Sequence, residues 1–405
     1  MSVQRRILTT LSTAQVVGGI GNGAGLAAGA LLIRDVTGST ALAGMGTVMI
    51  TLGAALITMP LSNIAAKRGR RPALTYGWLV GSLGALLAVI GAQTNQFVFV
   101  ALGLVGFGSS TAANLQSRFA ATDRADSQHV ARSLSLVVWA TTIGAVAGPN
   151  LVGPGANLAE AFGLVPLAGP FVFSVISFGT GALIVALFLR PDPLENQISA
   201  TAVKRSLKAA LPLMTGVTKG AIAAIGASHA VMVAVMSLTP VHMADHGLSL
   251  TIIGFTISLH VAGMYALSPA FGWLTDKLGA ANVIILGQAI FIVSLLFTAI
   301  DPENHMSLVI GLTLLGLGWS ASVIAAAALV TTSVEKEART VVQGASDLVM
   351  NLSGAIGGLT AGIVVATTSF AFLSWLAMAV TIPVLVFAFA MNVNRRSEKA
   401  TTIAG

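Results

Sequence analysis

The chain is poor in charged residues. Only 9% of its 405 residues are Asp, Glu, Lys or Arg, whereas 55% are hydrophobic. A soluble domain carries about 25% charged residues, so the composition excludes an ordinary water-soluble domain. The mean hydropathy of +0.88 indicates that the solvent of this chain is a lipid bilayer. Its 44 glycines agree with that, because glycine is more frequent in membrane helices than in soluble ones.

Cysteine is absent altogether, which excludes disulfides, thiolate metal sites and a cysteine nucleophile. The sequence also lacks a phosphate-binding loop, which argues against direct use of ATP. No Ser–His–Asp set can be placed, and the histidine spacings fit no compact metal-ligand set. We therefore expect neither an enzyme nor a bound metal or cofactor.

Long apolar stretches fill most of the chain. A spanning helix needs roughly 20 apolar residues. The first stretch follows Arg5 and Arg6 and is too long for the apolar part of a signal peptide. The sequence predicts twelve membrane spans, at about 8–33, 42–66, 73–92, 97–117, 133–153, 167–189, 220–241, 250–274, 281–300, 307–332, 340–366 and 369–391.

The basic residues predict the orientation of these spans. With the N-terminus inside, every Lys and Arg except Arg34 falls in a cytoplasmic segment. Such an asymmetry is typical of bacterial and eukaryotic membrane proteins. We therefore expect a multi-pass protein of the cytoplasmic (inner) membrane, with both termini cytoplasmic. The net charge of +7 then reflects topology, and no nucleic-acid partner is expected.

The two halves of the chain resemble each other. The loops SNIAAKRGRRPAL (62–74) and GWLTDKLGAANVI (272–284) align Lys67 with Lys277 and Gly69 with Gly279. Parallel six-helix repeats are a transporter architecture. The sequence predicts an all-α membrane protein with two pseudo-symmetric six-helix bundles: an N-terminal bundle (1–190), a cytoplasmic linker (191–219), and a C-terminal bundle with a short tail (220–405).

The stretch GWLTDKLG resembles the signature loop of the major facilitator superfamily, and the likeness in topology covers nearly the whole chain. This resemblance implies alternating access, with the loop aspartate pairing with basic residues and a helix N-terminus at a cytoplasmic gate. The first-half loop departs from the pattern because Ala66 replaces the aspartate, so we expect a weak or absent latch there. The predicted gate residues are Gly272, Asp276, Lys277, Gly279, Arg118, Arg132 and Arg339.

Span 5 contains GAVAGPNLVG, which resembles a stretch typical of bacterial twelve-helix drug:proton antiporters in that superfamily. Gly144, Gly148, Pro149 and Gly153 match it. Small residues four apart let helices approach closely, and proline bends a helix. The alternative interpretation is ordinary tight packing.

Asp347 is the one carboxylate predicted inside the membrane, roughly 12 Å past Arg339 along span 11. With Gln343 and Asn351 it forms a polar stripe at i, i+4 and i+8, which is expected to face the central cavity. Buried ionisable groups in a membrane are functional candidates. His229 and His260 lie at similar depth and are candidates for a proton relay with Asp347. In the alternative interpretation, these side chains only make structural hydrogen bonds between helices.

The remaining polar and aromatic side chains suggest the solute. A cavity with Met and Trp and few charges suits a lipophilic or weakly polar molecule, and no arginine is predicted at mid-membrane. Trp78 and Trp375, at helix ends, are interpreted as interface anchors. The predicted cavity residues are Asn22, Asn114, Gln116, Trp139, Trp319, Met236, Gln343 and Asn351.

Three functional hypotheses follow. The first is a monomeric secondary active transporter that exports a small molecule coupled to proton entry, so its partners are the solute, protons and the lipid bilayer. The second is an uptake symporter or a facilitator for a small neutral solute, which Ala66 and the lack of a span 1 carboxylate favour. The third, a membrane scaffold or sensor, is disfavoured because no long soluble segment is predicted.

Overall fold

A computed structural model of the chain describes residues 3–38, 45–195, 211–248 and 250–404, so residues 196–210 of the predicted linker lie outside it. Regular structure in the described part is helical throughout. Its α-helices are α1 (Val3–Thr37), α2 (Met45–Arg68), α3 (Arg70–Gln93), α4 (Phe97–Ala120), α5 (Val130–Ala147), α6 (Val152–Ala161), α7 (Gly169–Phe188), α8 (Gly216–Asp245), α9 (Leu250–Tyr265), α10 (Ser268–Leu278), α11 (Ala280–Ile300), α12 (His305–Thr332), α13 (Arg339–Thr367) and α14 (Phe370–Ala404).

Eleven helical segments in the described residues are long and apolar enough to cross a membrane. The predicted all-α membrane fold is therefore confirmed, and ten of the eleven segments follow a predicted span closely. The eighth span, predicted as one helix over 250–274, is instead divided into α9 and α10. Pro269 lies in the first turn of α10. Because proline cannot donate a backbone hydrogen bond and restricts the residue before it, the continuous helix ends ahead of it.

Span 5 also differs from its prediction over 133–153. Helix α5 ends at Ala147, and a short turn of 3₁₀-helix, Pro149–Leu151, leads into α6. The cause is the same, because Pro149 has no N–H to continue the helical ladder. The helix therefore changes course within the glycine- and proline-containing stretch that the sequence analysis singled out.

The helices form two compact units. The first comprises Met1–Ala125, Leu136–Leu213 and Glu335–Asn351. In it α1 packs on α7, α3 packs on α4 and α7, and α2 packs on α4. Its core includes Trp78, which is fully buried and lies with its ring centroid 5.6 Å from that of Phe178. The interpretation of Trp78 as an interface anchor is therefore wrong, since its indole fills the space between helices.

The second unit comprises Asp126–Ser135, Met214–Val334 and Leu352–Gly405. In it α8 packs on α14, α11 packs on α12 and α14, and α9 packs on α12. These are the same neighbours, six spans later, as in the first unit. The aligned loop glycines also match, because Gly69 and Gly279 have φ of 96° and 88°, a region that favours glycine. The domain boundaries at residues 190 and 220 stay a prediction.

Candidate functional site

Asp347 is buried in an ion pair. Its Oδ1 accepts a hydrogen bond of 2.6 Å from Nη2 of Arg118, and the two side chains are 0% and 3% exposed. The same guanidinium nitrogen lies 3.7 Å from the sulfur of Met350. Arg118 is in the last turn of α4, and Asp347 is in the third turn of α13. The sequence analysis expects no arginine at mid-membrane, yet the long side chain of Arg118 extends from the end of α4 to the carboxylate that was placed there.

The predicted stripe on α13 is buried along its length: Gln343, Asp347 and Asn351 are 1%, 0% and 4% exposed. Asn351 donates its side-chain N–H to the backbone carbonyl of Asp347 at 2.8 Å, a bond within the helix. Gln343 accepts a hydrogen bond of 2.5 Å from Nη2 of Arg70. Two neighbouring turns of α13 are thus contacted by two different arginines, Arg70 and Arg118.

Arg70 and Asp123 form a second buried ion pair that the sequence analysis did not anticipate. Arg70 donates from Nε at 2.7 Å and from Nη2 at 3.2 Å to the two carboxylate oxygens, and its side chain is 1% exposed. Burial raises the pKa of Asp123, and the Arg70 guanidinium offsets part of that rise. Arg339, at the start of α13, also lies within electrostatic range of Asp123. Arg70 belongs to the run KRGRR, which the sequence analysis interprets as topological charge. In the structure this residue instead forms a buried ion pair.

Asp276 caps a helix. Its carboxylate accepts hydrogen bonds from the backbone N–H groups of Ala131 at 3.0 Å and of Arg132 at 2.9 Å, in the first turn of α5. Burial raises the pKa of Asp276, while these two hydrogen bonds lower it. Gly272 permits the close approach of α10, because a Cβ there would lie 2.7 Å from the carbonyl oxygen of Ala131. Lys277 lies over the ring of Trp273, with Nζ 4.8 Å from the ring centroid.

The two histidines make hydrogen bonds to other helices in the second unit. Nδ1 of His260 is 2.8 Å from the carbonyl oxygen of Leu312, and His260 is fully buried. Because a carbonyl only accepts, Nδ1 of His260 carries the hydrogen. Nε1 of Trp319 donates to Nδ1 of His229 at 3.0 Å. His229 is half-buried, as is Met236, two turns further along α8.

Several predicted cavity residues make bonds between helices of the first unit. Oδ1 of Asn22 accepts from the hydroxyl of Ser110 at 2.8 Å. Gln116 is 1% exposed and donates to the carbonyl oxygen of Thr58 at 2.9 Å. These contacts tie α1 and α2 to α4, and the role of both residues in a cavity stays a prediction. The other two predicted residues in this unit are Asn114, which is half-buried, and Trp139, which is 40% exposed.

Two glycines of span 5 pack closely against α1, and a third has open space around it. A Cβ on Gly148 would lie 2.6 Å from Cα of Gly23, and one on Gly144 would collide with the backbone of Gly19. Gly144, on α5, and Gly148, directly after its end, thus face two glycines of α1, which allows close backbone contact. A Cβ on Gly153 would meet nothing within 4 Å. The sequence pattern therefore marks a packing contact over its first part only.

The sequence profile described as "Major Facilitator Superfamily" matches residues 11–255 and 220–404. YddS of Bacillus subtilis (strain 168), named as an uncharacterized MFS-type transporter, is 37% identical over 409 residues, covering 98% of this chain and 93% of that protein. The riboflavin transporter RfnT of Brucella anthropi is 28% identical over 392 residues and 94% of each chain.

Solved structures show the same fold at low identity. The human organic anion transporter MFSD10 (TETRAN) is similar with a TM-score of 0.80 at 13% identity, over 96% of this chain and 100% of that one. The transporter FucP in its outward conformation gives a TM-score of 0.78 at 15% identity, over 96% and 99% of the two chains. With this fold and these relatives, the chain belongs to the Major Facilitator Superfamily and is a multi-pass membrane transporter of a small molecule.

Proposed function

We propose that this transporter exports a small, weakly polar molecule by alternating access and couples export to proton entry through Asp347. It acts as a monomer in the cytoplasmic membrane, with both termini in the cytoplasm. The distribution of lysine and arginine along the sequence supports this orientation. The span 5 stretch that resembles drug:proton antiporters supports the direction of transport.

The observation that carries the proposal is the buried ion pair between Asp347 and Arg118, 2.6 Å apart. A lone charge at membrane depth is costly, so such groups are rare and mark proton and substrate pathways. The ion pair carries no net charge, and protonation of Asp347 would give it a net positive charge. The carboxyl group then loses its charge, while Arg118 keeps its own and must find another partner or another environment.

The energy of this step is large enough to drive a conformational change. Breaking a buried ion pair by neutralising one member costs about 3–5 kcal/mol. Moving a two-state equilibrium from 1:99 to 99:1 takes about 5.5 kcal/mol. Protonation of Asp347 would therefore supply most of the bias that alternating access needs, and release of the proton on the other side would restore the pair.

The histidines have unequal parts in this proposal. His229 bonds to Trp319 and remains a candidate for the proton path, since it is half-buried. The burial of His260 and its bond to Leu312 favour a packing role instead. Asp276 acts as a gate element through its cap on α5, and Lys277, Arg132 and Arg339 remain proposed gate residues.

The relative named as a riboflavin transporter supports a choice of first solute. Riboflavin is weakly polar, carries no net charge at neutral pH, and combines a planar ring system with a hydroxylated chain. These properties match the low charge of the predicted cavity. Riboflavin is therefore the first solute to test, and a growth or dye-efflux screen would extend the search to other solutes.

A facilitator is the second candidate function. Ala66 stands where the first-half loop would carry an aspartate, and the ion pair of Asp347 could serve as a fixed structural bridge. In that case solute would move down its own gradient regardless of pH. The two candidates differ in a single measurable property, the response of flux to a proton gradient.

The test is a flux assay with purified protein in proteoliposomes under an imposed pH gradient. We expect wild-type protein to accumulate solute against its gradient, and Asp347→Asn to lose this accumulation. Glu160→Gln is the matched control, because Glu160 is an exposed carboxylate on α6. Wild-type flux that is indifferent to the gradient would reject antiport and leave the facilitator. Accumulation by Asp347→Asn at the wild-type level would reject the role of Asp347.

A further inference from the structure

We propose that Trp319, His229 and Tyr265 form one wall of the solute-binding site, and that this wall selects planar heteroaromatic molecules. The proposal rests on the transport function proposed above and adds the class of solute. It assigns the binding to the second unit, where three helices each contribute one ring: α12, α8 and α9.

The three rings are in mutual contact through Trp319. Its ring centroid is 6.1 Å from that of His229, with the planes tilted by 50°, and 5.9 Å from that of Tyr265, nearly perpendicular at 82°. Aromatic rings at these separations attract one another, with edge-to-face pairs among the preferred arrangements. Trp319 is only 4% exposed, whereas His229 and Tyr265 are half-buried. The cluster thus has a fixed centre and two partly open edges.

Glycines on the surrounding helices hold these rings in place. A Cβ on Gly263 would lie 2.6 Å from the carbonyl oxygen of Thr313, so α9 and α12 touch backbone to backbone just before Tyr265 and Trp319. On α13, a Cβ on Gly354 would lie 2.6 Å from Cδ2 of His229. The imidazole therefore packs directly against the backbone of α13. Ring positions set by backbone contacts are the kind of preorganisation that a binding site requires.

The hydrogen bond between Trp319 and His229 fixes the chemistry of the wall. An indole N–H can only donate, so Nδ1 of His229 must accept and carries no hydrogen. While this 3.0 Å bond is made, the imidazole is neutral, with its hydrogen on Nε2. The wall is therefore an uncharged aromatic surface with a polar edge. Such a surface favours a flat ring that itself carries donors and acceptors over an aliphatic or a strongly charged solute.

Met236 extends this surface along α8. It lies seven residues after His229, on the same face of the helix, and it is half-buried like His229. Methionine adapts its shape and makes favourable contacts with ring edges. The face thus offers a rigid aromatic part and an adaptable part, which suits a flat ring system that carries a flexible substituent.

The strength of such binding can be estimated. Stacking of a base on an aromatic side chain is worth about 1–3 kcal/mol per ring by substitution. At about 1.4 kcal/mol per tenfold, removal of one ring from the wall should weaken binding roughly 5- to 150-fold. A solute without a planar ring should bind weakly and should be insensitive to the same change.

The experiment is isothermal titration calorimetry on the purified full-length protein with three probes: riboflavin, its isolated ring system lumichrome, and its isolated chain ribitol. We expect both ring compounds to bind and ribitol not to bind. Trp319→Leu removes the buried ring that positions the two partly open rings, so it should weaken binding of the ring compounds at least about fivefold, and Trp319→Phe should restore part of it. Trp375→Leu is the matched control, because Trp375 is 47% exposed on α14.

A second pair of variants keeps the test valid if Trp319→Leu fails to fold. Gly354→Ala should displace the imidazole of His229 and weaken ring binding, whereas Gly362→Ala, on the same helix with nothing within 4 Å of its Cβ, should not. The proposal is overturned if neither ring compound binds the wild-type protein, or if binding is unchanged in the folded Trp319 and Gly354 variants. If the coupling proposal fails instead, ring binding persists and only the response of flux to the pH gradient is missing.

Discussion

The substitution Asp347→Asn isolates the contribution of one charge. Asparagine has nearly the shape of aspartate and stands for the protonated acid. Arg118, which is 3% exposed, keeps its positive charge and loses the partner at 2.6 Å. An uncompensated buried charge of this kind costs about 3–5 kcal/mol. We therefore expect a clear loss of stability, measured as a lower unfolding temperature of the purified protein in detergent.

The double variant Arg118→Gln/Asp347→Asn separates stability from proton coupling. The double variant leaves no buried charge without a partner, and such a charge is the source of the cost of about 3–5 kcal/mol when one member alone is removed. The double variant should therefore recover most of the stability that Asp347→Asn loses. It should not recover accumulation driven by a pH gradient, because no carboxylate remains at this position.

Two results would refute this reasoning. If Asp347→Asn unfolds at the wild-type temperature, the ion pair does not contribute the expected free energy of about 3–5 kcal/mol to stability. If the double variant still accumulates solute in response to a proton gradient, coupling belongs to another group. A double-mutant cycle with Arg118→Gln alone gives the interaction energy directly, since the residues are in contact.

Three further predictions concern packing and the gate. Gly144→Ala should lower the unfolding temperature, because overpacking typically costs about 1–3 kcal/mol. Gly153→Ala should not, because a Cβ there meets nothing within 4 Å. Equal effects of the two substitutions would contradict the packing assignment. Asp276→Asn should shift the inward–outward balance more than solute affinity, and unchanged spin-label distances would argue against a gate role. Because burial raises the pKa of Asp276 above 3.8, the unfolded chain ionises first as the pH rises. The stability advantage of wild type over Asp276→Asn should therefore be greatest below pH 3.8 and decline as the pH rises through the raised pKa. Unfolding curves that show the opposite trend would reject this sign.

Much of the fold could be predicted because its signals are local. Apolar runs of membrane-spanning length mark the helices, and ten of the eleven membrane-length segments end within a few residues of the predicted bounds. The polar stripe on α13 follows from the spacing of Gln343, Asp347 and Asn351 alone, and all three are buried. The breaks in spans 5 and 8 were also signalled, since Pro149 and Pro269 lie inside predicted helices. The apolar runs continue past both prolines, so hydropathy alone does not place the two breaks.

The partners of the buried charges could not be predicted, because they are distant in sequence. Arg118 and Asp347 are 229 residues apart, and Arg70 and Gln343 are 273 apart. An arginine at the end of a span resembles an ordinary topological charge, and nothing in its neighbours reveals which carboxylate it meets. Trp78 was misassigned for the same reason, since burial of an indole depends on helices brought together by the fold.

At both aligned loops a carboxylate accepts hydrogen bonds from backbone N–H groups at the start of a helix. Near the end of α10, the carboxylate of Asp276 accepts from backbone N–H groups in the first turn of α5. Near the end of α2, Ala66 has no carboxylate, and Asp192 accepts from the backbone N–H groups of Arg70 and Arg71 instead. The Arg70 side chain donates to Gln343 and makes two hydrogen bonds to Asp123.

A proton has unequal effects on the arginine contacts along α13. Gln343 is a neutral amide, so pH does not switch its bond to Arg70. One turn further on, Asp347 is bound to Arg118 by a single hydrogen bond, and protonation removes its charge. In the proposed coupling, a proton therefore acts on the second contact and does not change the charge of the Gln343 amide in the first. The contact of Arg70 with Gln343 therefore links the first unit to α13 independently of the charge on Asp347, which is the proposed site of proton binding in the stripe.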